Sequence, residues 1–82
     1  MMTERQVIQE ILNSEALEYS FENVDEDSKE YTLLLKRQEQ DVRSVDELNN
    51  EIKKYFQSAD FDYQEELNPE GDADIRLVIK RN

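Results

Sequence analysis

The sequence predicts an α+β domain of order αββαββ, and three observations carry that reading. Apolar residues first recur at helical spacing and then on alternate positions. That change of period happens twice along the chain. The first 38 residues also match residues 45–82 at a constant offset of 44, with identities Ile8/Ile52, Ser14/Ser58, Tyr19/Tyr63, Glu22/Glu66, Glu26/Glu70, Leu33/Leu77, Lys36/Lys80 and Arg37/Arg81. The chain therefore reads as one domain over 1–82. An αββ unit spans 1–38, a link 39–44, and a second αββ unit 45–82.

In the first unit Thr3 stands three residues before Gln6, the spacing at which a hydroxyl and an amide satisfy each other's backbone at a helix start. Val7, Ile8, Ile11 and Leu12 follow on one helical face. Leu17, Tyr19 and Phe21 then alternate with Glu18, Ser20 and Glu22, as in a strand with one wet face. An acidic turn over 25–28 leads to the inward positions Tyr31, Leu33 and Leu35 of a second strand.

The second unit repeats this plan. Ser44 precedes Glu47 by three, and Leu48, Ile52, Tyr55, Phe56 and Ala59 form the apolar stripe. Phe61 and Tyr63 point inward from the third strand, and Ile75, Leu77 and Ile79 from the fourth. Between them, residues 68–72 hold the chain's one proline and one glycine: Pro69 fixes φ, and Gly71 tolerates a positive φ.

Strands 2 (YTLLLK) and 4 (IRLVIK) are the most apolar, whereas strands 1 and 3 carry charge on alternate residues. That contrast puts strands 2 and 4 in the middle and predicts an antiparallel sheet of order 3-4-2-1, with charged edges that deter self-pairing. Both helices then cover one face. This arrangement resembles a circularly permuted ferredoxin-like topology, a likeness of shape that carries no function.

The uncovered face would display Leu34 and Val78 on adjacent central strands, with Thr32, Lys36 and Arg76 beside them. Glu18, Glu22, Asp62 and Glu66 would form acidic flanks. An apolar centre inside a charged rim is the composition of a protein interface. The expected function is thus a non-catalytic acidic protein that binds a protein partner, or a second copy of itself, through the open sheet face or the acidic edges.

Composition narrows the alternatives. With 21 acidic against 10 basic residues the net charge is −11, which opposes direct binding to nucleic acid or to an anionic membrane. A second reading uses the same charge: carboxylates along edges and turns imitating phosphates, to inhibit a basic nucleic-acid-binding protein. A third is a small enzyme with carboxylate and tyrosine chemistry. It is weaker, because adjacent carboxylates such as Glu65 and Glu66 point to opposite faces of a strand.

No histidine or cysteine is present, which removes the usual zinc ligands and the commonest general base. Asp25, Glu26 and Asp27, and the turn around Glu70 and Asp72, come nearest to a calcium loop but lack its spacing. No metal or cofactor is expected. The opening residues MMTERQVIQE lack the pattern of a signal peptide, and no apolar run reaches membrane-spanning length, so the expected compartment is the cytoplasm.

Overall fold

A computed structural model describes residues 3–81; Met1, Met2 and Asn82, the outer ends of the two units, lie outside the described residues. Its elements run α1 (Glu4–Ser14), β1 (Leu17–Asp25), β2 (Glu30–Arg37), α2 (Val45–Ser58), β3 (Phe61–Leu67) and β4 (Ile75–Arg81). All neighbouring strands are antiparallel, and the sheet order is β1-β2-β4-β3. The apolar strands therefore occupy the centre, as their composition predicts.

Both helices begin where the sequence places their caps. The Thr3 hydroxyl accepts from the Gln6 amide (3.2 Å) and the Gln6 side chain accepts from the Thr3 amide (2.9 Å). The Ser44 hydroxyl accepts from the Glu47 amide (3.1 Å). Each helix ends on a residue in the left-handed region, Ala16 (φ 56°) after α1 and Asp60 (φ 67°) after α2. Neither has glycine's freedom there, so both turns hold some backbone strain.

One core joins the two helices to one face of the sheet. Ile8 and Leu12 of α1 and Leu48, Ile52 and Phe56 of α2 are buried against Leu17, Tyr31, Leu33, Leu35, Phe61, Ile75, Leu77 and Ile79. Every strand residue in that set has an odd number, the consequence of the period-two pleat. Tyr55 departs from the predicted stripe: it is 52% exposed, because it lies at the margin of the face that Ile52 and Phe56 turn inward.

The registers of the two hairpins correspond. Adding 44 to Leu17↔Arg37 and Tyr19↔Leu35 gives Phe61↔Arg81 and Tyr63↔Ile79, the pairs found in the second hairpin. In the centre, Leu33 pairs with Leu77, its own counterpart at that offset. The correspondence stops at Phe21. Glu22 is an extra residue in β1, after which Asn23 pairs with Thr32 and Val24 with Tyr31, so β1 changes phase while β3 stays regular.

Candidate functional site

The sheet face opposite the helices is organised in rows by the strand registers. One row runs Ser20, Leu34, Arg76, Glu66; the next runs Asn23, Thr32, Val78, Gln64. Leu34 and Val78 are thus neighbours on adjacent strands, as expected, but they sit diagonally: Leu34 faces Arg76 and Val78 faces Thr32. Both are half-buried. Thr32, expected to be open, is only 6% exposed.

The reason lies across β2. Arg76 of β4 reaches Glu22 of β1, with Nη2 2.8 Å and Nε 3.0 Å from the same carboxylate oxygen. Since β2 lies between those strands, the pair passes over the strand that carries Thr32 and Leu34. The bulge places Glu22 where this reach is possible, which alternation alone does not reveal. The outer rows pair Glu18 with Lys36 on one side, and Lys80 with both Glu30 and Asp62 on the other. Each cation of this face therefore has an acidic neighbour across a strand, and Glu18, Glu22, Asp62 and Glu66 do lie on the two edge strands.

A shallow cleft of about 290 Å³ opens beside Leu34, lined by Glu18, Tyr19, Ser20, Lys36, Asp72 and Ala73 among others. Asp72 and Ala73 come from the loop before β4. That loop is tied down by Asp74, whose amide donates to the Leu35 carbonyl (2.8 Å). Asp74 immediately precedes β4 and turns its carboxylate onto Arg37, accepting from the main-chain amide (2.8 Å) and from Nε (3.2 Å). Partial burial opposes its ionisation, but these hydrogen bonds win and hold its pKa below the ordinary aspartate value.

Sequence patterning did not single out a second cluster, centred on Arg43 in the link. Its guanidinium meets Asp41 (2.6 Å), Glu51 of α2 (2.8 Å), and both the carbonyl (2.8 Å) and carboxylate (3.3 Å) of Glu15 after α1. The Arg43 carbonyl in turn accepts from Arg37. Hydrogen bonding from Arg43 depresses the Asp41 pKa to about 2 and lowers that of Glu51. Glu15 is raised, first by burial and then by the adjacent Glu51. Such contacts join residues 28 positions apart, so no local spacing announces them.

A third polar group lies between α2 and β3. The Tyr63 hydroxyl donates to the Asn49 side-chain oxygen (2.8 Å), and the Asn49 amide donates to Glu65 (3.2 Å), which Lys53 approaches at 3.7 Å. Burial, then Glu65, pushes the Tyr63 phenol above its usual pKa. The buried phenol thus has a hydrogen-bond partner for its hydroxyl, as a buried tyrosine needs. The Tyr19 ring packs edge-on against Phe21.

Among the described residues, no group of three or more histidines, cysteines, aspartates and glutamates converges as metal ligands would. Nor is any helix among them long and apolar enough to cross a membrane. Compared with known protein families, with curated proteins and with solved structures, the chain matches none.

Proposed function

We propose that the protein is a non-catalytic binding module whose open sheet face receives a basic protein partner. The cleft beside Leu34 carries this reading. It offers room for one large apolar side chain against Leu34, with Glu18 and Asp72 placed to meet flanking cations. Binding energy concentrates where an anchor side chain enters such a pocket inside a polar rim.

Charge selects the kind of partner. Two copies each bearing −11 repel, and a face-to-face dimer would bring together edges that both carry carboxylates. We therefore rank a cationic partner ahead of a second copy. Mimicry of nucleic acid is less favoured, because Lys36, Arg76 and Lys80 interrupt the carboxylates on this face. The carboxylates with shifted pKa values (Asp41, Glu15, Glu51 and Asp74) are engaged by Arg43 and Arg37 in holding loops, which supports a non-catalytic reading. A cytoplasmic setting belongs to the same proposal.

We also read the chain as a duplicated αββ unit in a permuted ferredoxin-like arrangement. The hairpin registers shifted by 44, the self-paired Leu33 and Leu77, and the matching left-handed residues Ala16 and Asp60 support that history.

The test is panning of a random 12-residue peptide library, followed by affinity measurement and amide mapping by NMR. Enriched peptides should combine Lys or Arg with one large apolar residue and shift the amides around Leu34. They should lose at least ~10-fold in affinity on Leu34→Asp, and weaken as salt rises. Peptides that bind Leu34→Asp equally well, or map to the helices, would overturn the reading.

A further inference from the structure

The two edges of the sheet are not equivalent, and the difference points to a binding mode separate from the open face. In antiparallel ladders, residues alternate between bonding one neighbour strand and bonding the other. The Arg81 amide donates to the Lys29 carbonyl in the β2–β4 register, so odd residues of β4 bond β2 and even residues bond β3. The Asn68 amide, donating to the Asp74 carbonyl, continues the same phase on the β3 side. It follows that Asp62, Gln64 and Glu66 use their backbones on β4. Phe61, Tyr63, Glu65 and Leu67 direct their N–H and C=O groups away from the sheet.

β1 has the matching arrangement only in part. Leu17, Tyr19 and Phe21 face outward, but the extra residue at Glu22 moves the next outward position to Val24. A strand in step with the first three would lose phase there, which is how a bulge protects an edge. β3 has no bulge along its length. Beside it lies a trough of about 590 Å³ lined by Gln57, Asp60, Phe61, Asp62, Tyr63 and Gln64.

We infer that the β3 edge accepts an extended segment of a partner as a fifth strand, and that the segment alternates basic and apolar residues. Side chains of the added strand on the open side would lie beside Asp62, Gln64 and Glu66, where Lys or Arg is favoured. Those on the helix side would lie beside Phe61, Tyr63 and Leu67, where Val or Ile fits, and beside Glu65, whose carboxylate is already engaged by Asn49 and Lys53 of α2. The same carboxylates exclude a second copy, because antiparallel pairing of β3 with itself would oppose acid to acid. This inference rests on the edge and not on the cleft beside Leu34, so either can fail without the other.

The experiment uses the whole chain and the blocked peptide KVKVKVK. Directly opposed residues share a face, so the valines would oppose Tyr63 and Glu65 and exchange hydrogen bonds with them. Addition of peptide should slow hydrogen exchange at the Tyr63, Glu65 and Leu67 amides by ~10-fold or more. Methylation of the valine nitrogens should abolish binding, whereas methylation of the lysine nitrogens should leave it intact. Three results would each overturn the inference: no protection at millimolar peptide, equal binding by the valine-methylated peptide, or protection at Leu17, Tyr19 and Phe21 instead. Concentration-dependent protection of the β3 amides without peptide would show a second copy as the occupant, and would overturn it too.

Discussion

The guanidinium of Arg43 holds Glu15 twice, with Nη2 on its main-chain carbonyl (2.8 Å) and Nη1 on its carboxylate (3.3 Å). A residue of the link thus closes the end of α1, whose last carbonyls lack helical partners. Through Glu51 it also fixes α2, and through its own carbonyl it receives Arg37, which grips Asp74. The link is in this way the fastener between the two halves.

Replacing Arg43 with Met should therefore destabilise the fold by about 2 kcal/mol, since charge-assisted hydrogen bonds are lost and three carboxylates are left close together. That corresponds to roughly 10 °C in melting temperature for a domain of this size. Arg43→Lys should recover little of it, because one ammonium cannot reproduce the planar fork that meets Asp41, Glu15 and Glu51 together. Urea denaturation of the three proteins measures both effects.

The pH dependence follows from the same cluster. Asp41 titrates at about 2 in the fold, and Glu51 and Asp74 are also depressed. Depressed carboxylates add stability above their unfolded pKa, near 4, and that stability is lost as pH falls towards the folded value. The urea midpoint should thus drop between about pH 4 and pH 2, and drop less in Arg43→Met. Glu15 has the opposite sign: its raised pKa means that the fold loses stability as pH rises through it. Glu15→Gln should accordingly be more stable than the parent at pH 7 and indistinguishable at pH 3.

The limits of reading this chain from its sequence are visible in particular residues. Both helices, all four strands and the central place of β2 and β4 follow from periodicity and from apolar content, which report burial directly. The bulge at Glu22 had one signal, Val24, an apolar residue at an even position after three odd ones. Thr32 reads as open from spacing, which specifies a face but not what reaches across it; the Arg76–Glu22 pair depends on a register that the bulge sets. Arg43 sits in a polar link without period, so nothing local distinguishes it from its neighbours. Val42 beside it is 97% exposed, and nothing in the structure explains an apolar residue there.

The turns after the helices offer a gain in stability. Ala16 and Asp60 hold φ values of 56° and 67°, where a side chain costs roughly 1 kcal/mol relative to glycine. Ala16→Gly and Asp60→Gly should each raise stability by about 0.5 kcal/mol, once the larger entropy of unfolded glycine is deducted. Calorimetry on the single and double variants checks this, and the two gains should add because the sites lie in different halves.

The polar contact under β3 should behave in the opposite way. Asn49 is buried, and its side chain is satisfied from both sides, by the Tyr63 hydroxyl and by Glu65. Tyr63→Phe removes the donor but leaves the Asn49 oxygen buried, so the cost is that of an orphaned acceptor, about 1–2 kcal/mol. Pairing Tyr63→Phe with Asn49→Leu removes both ends of the bond and should restore part of that loss, leaving Glu65 to Lys53. A double-mutant cycle by urea denaturation isolates the coupling. A coupling near zero would mean that Tyr63 is held by ring packing against Phe56 alone, at 5.9 Å between centroids, and that the hydroxyl contributes nothing to fixing α2 on β3.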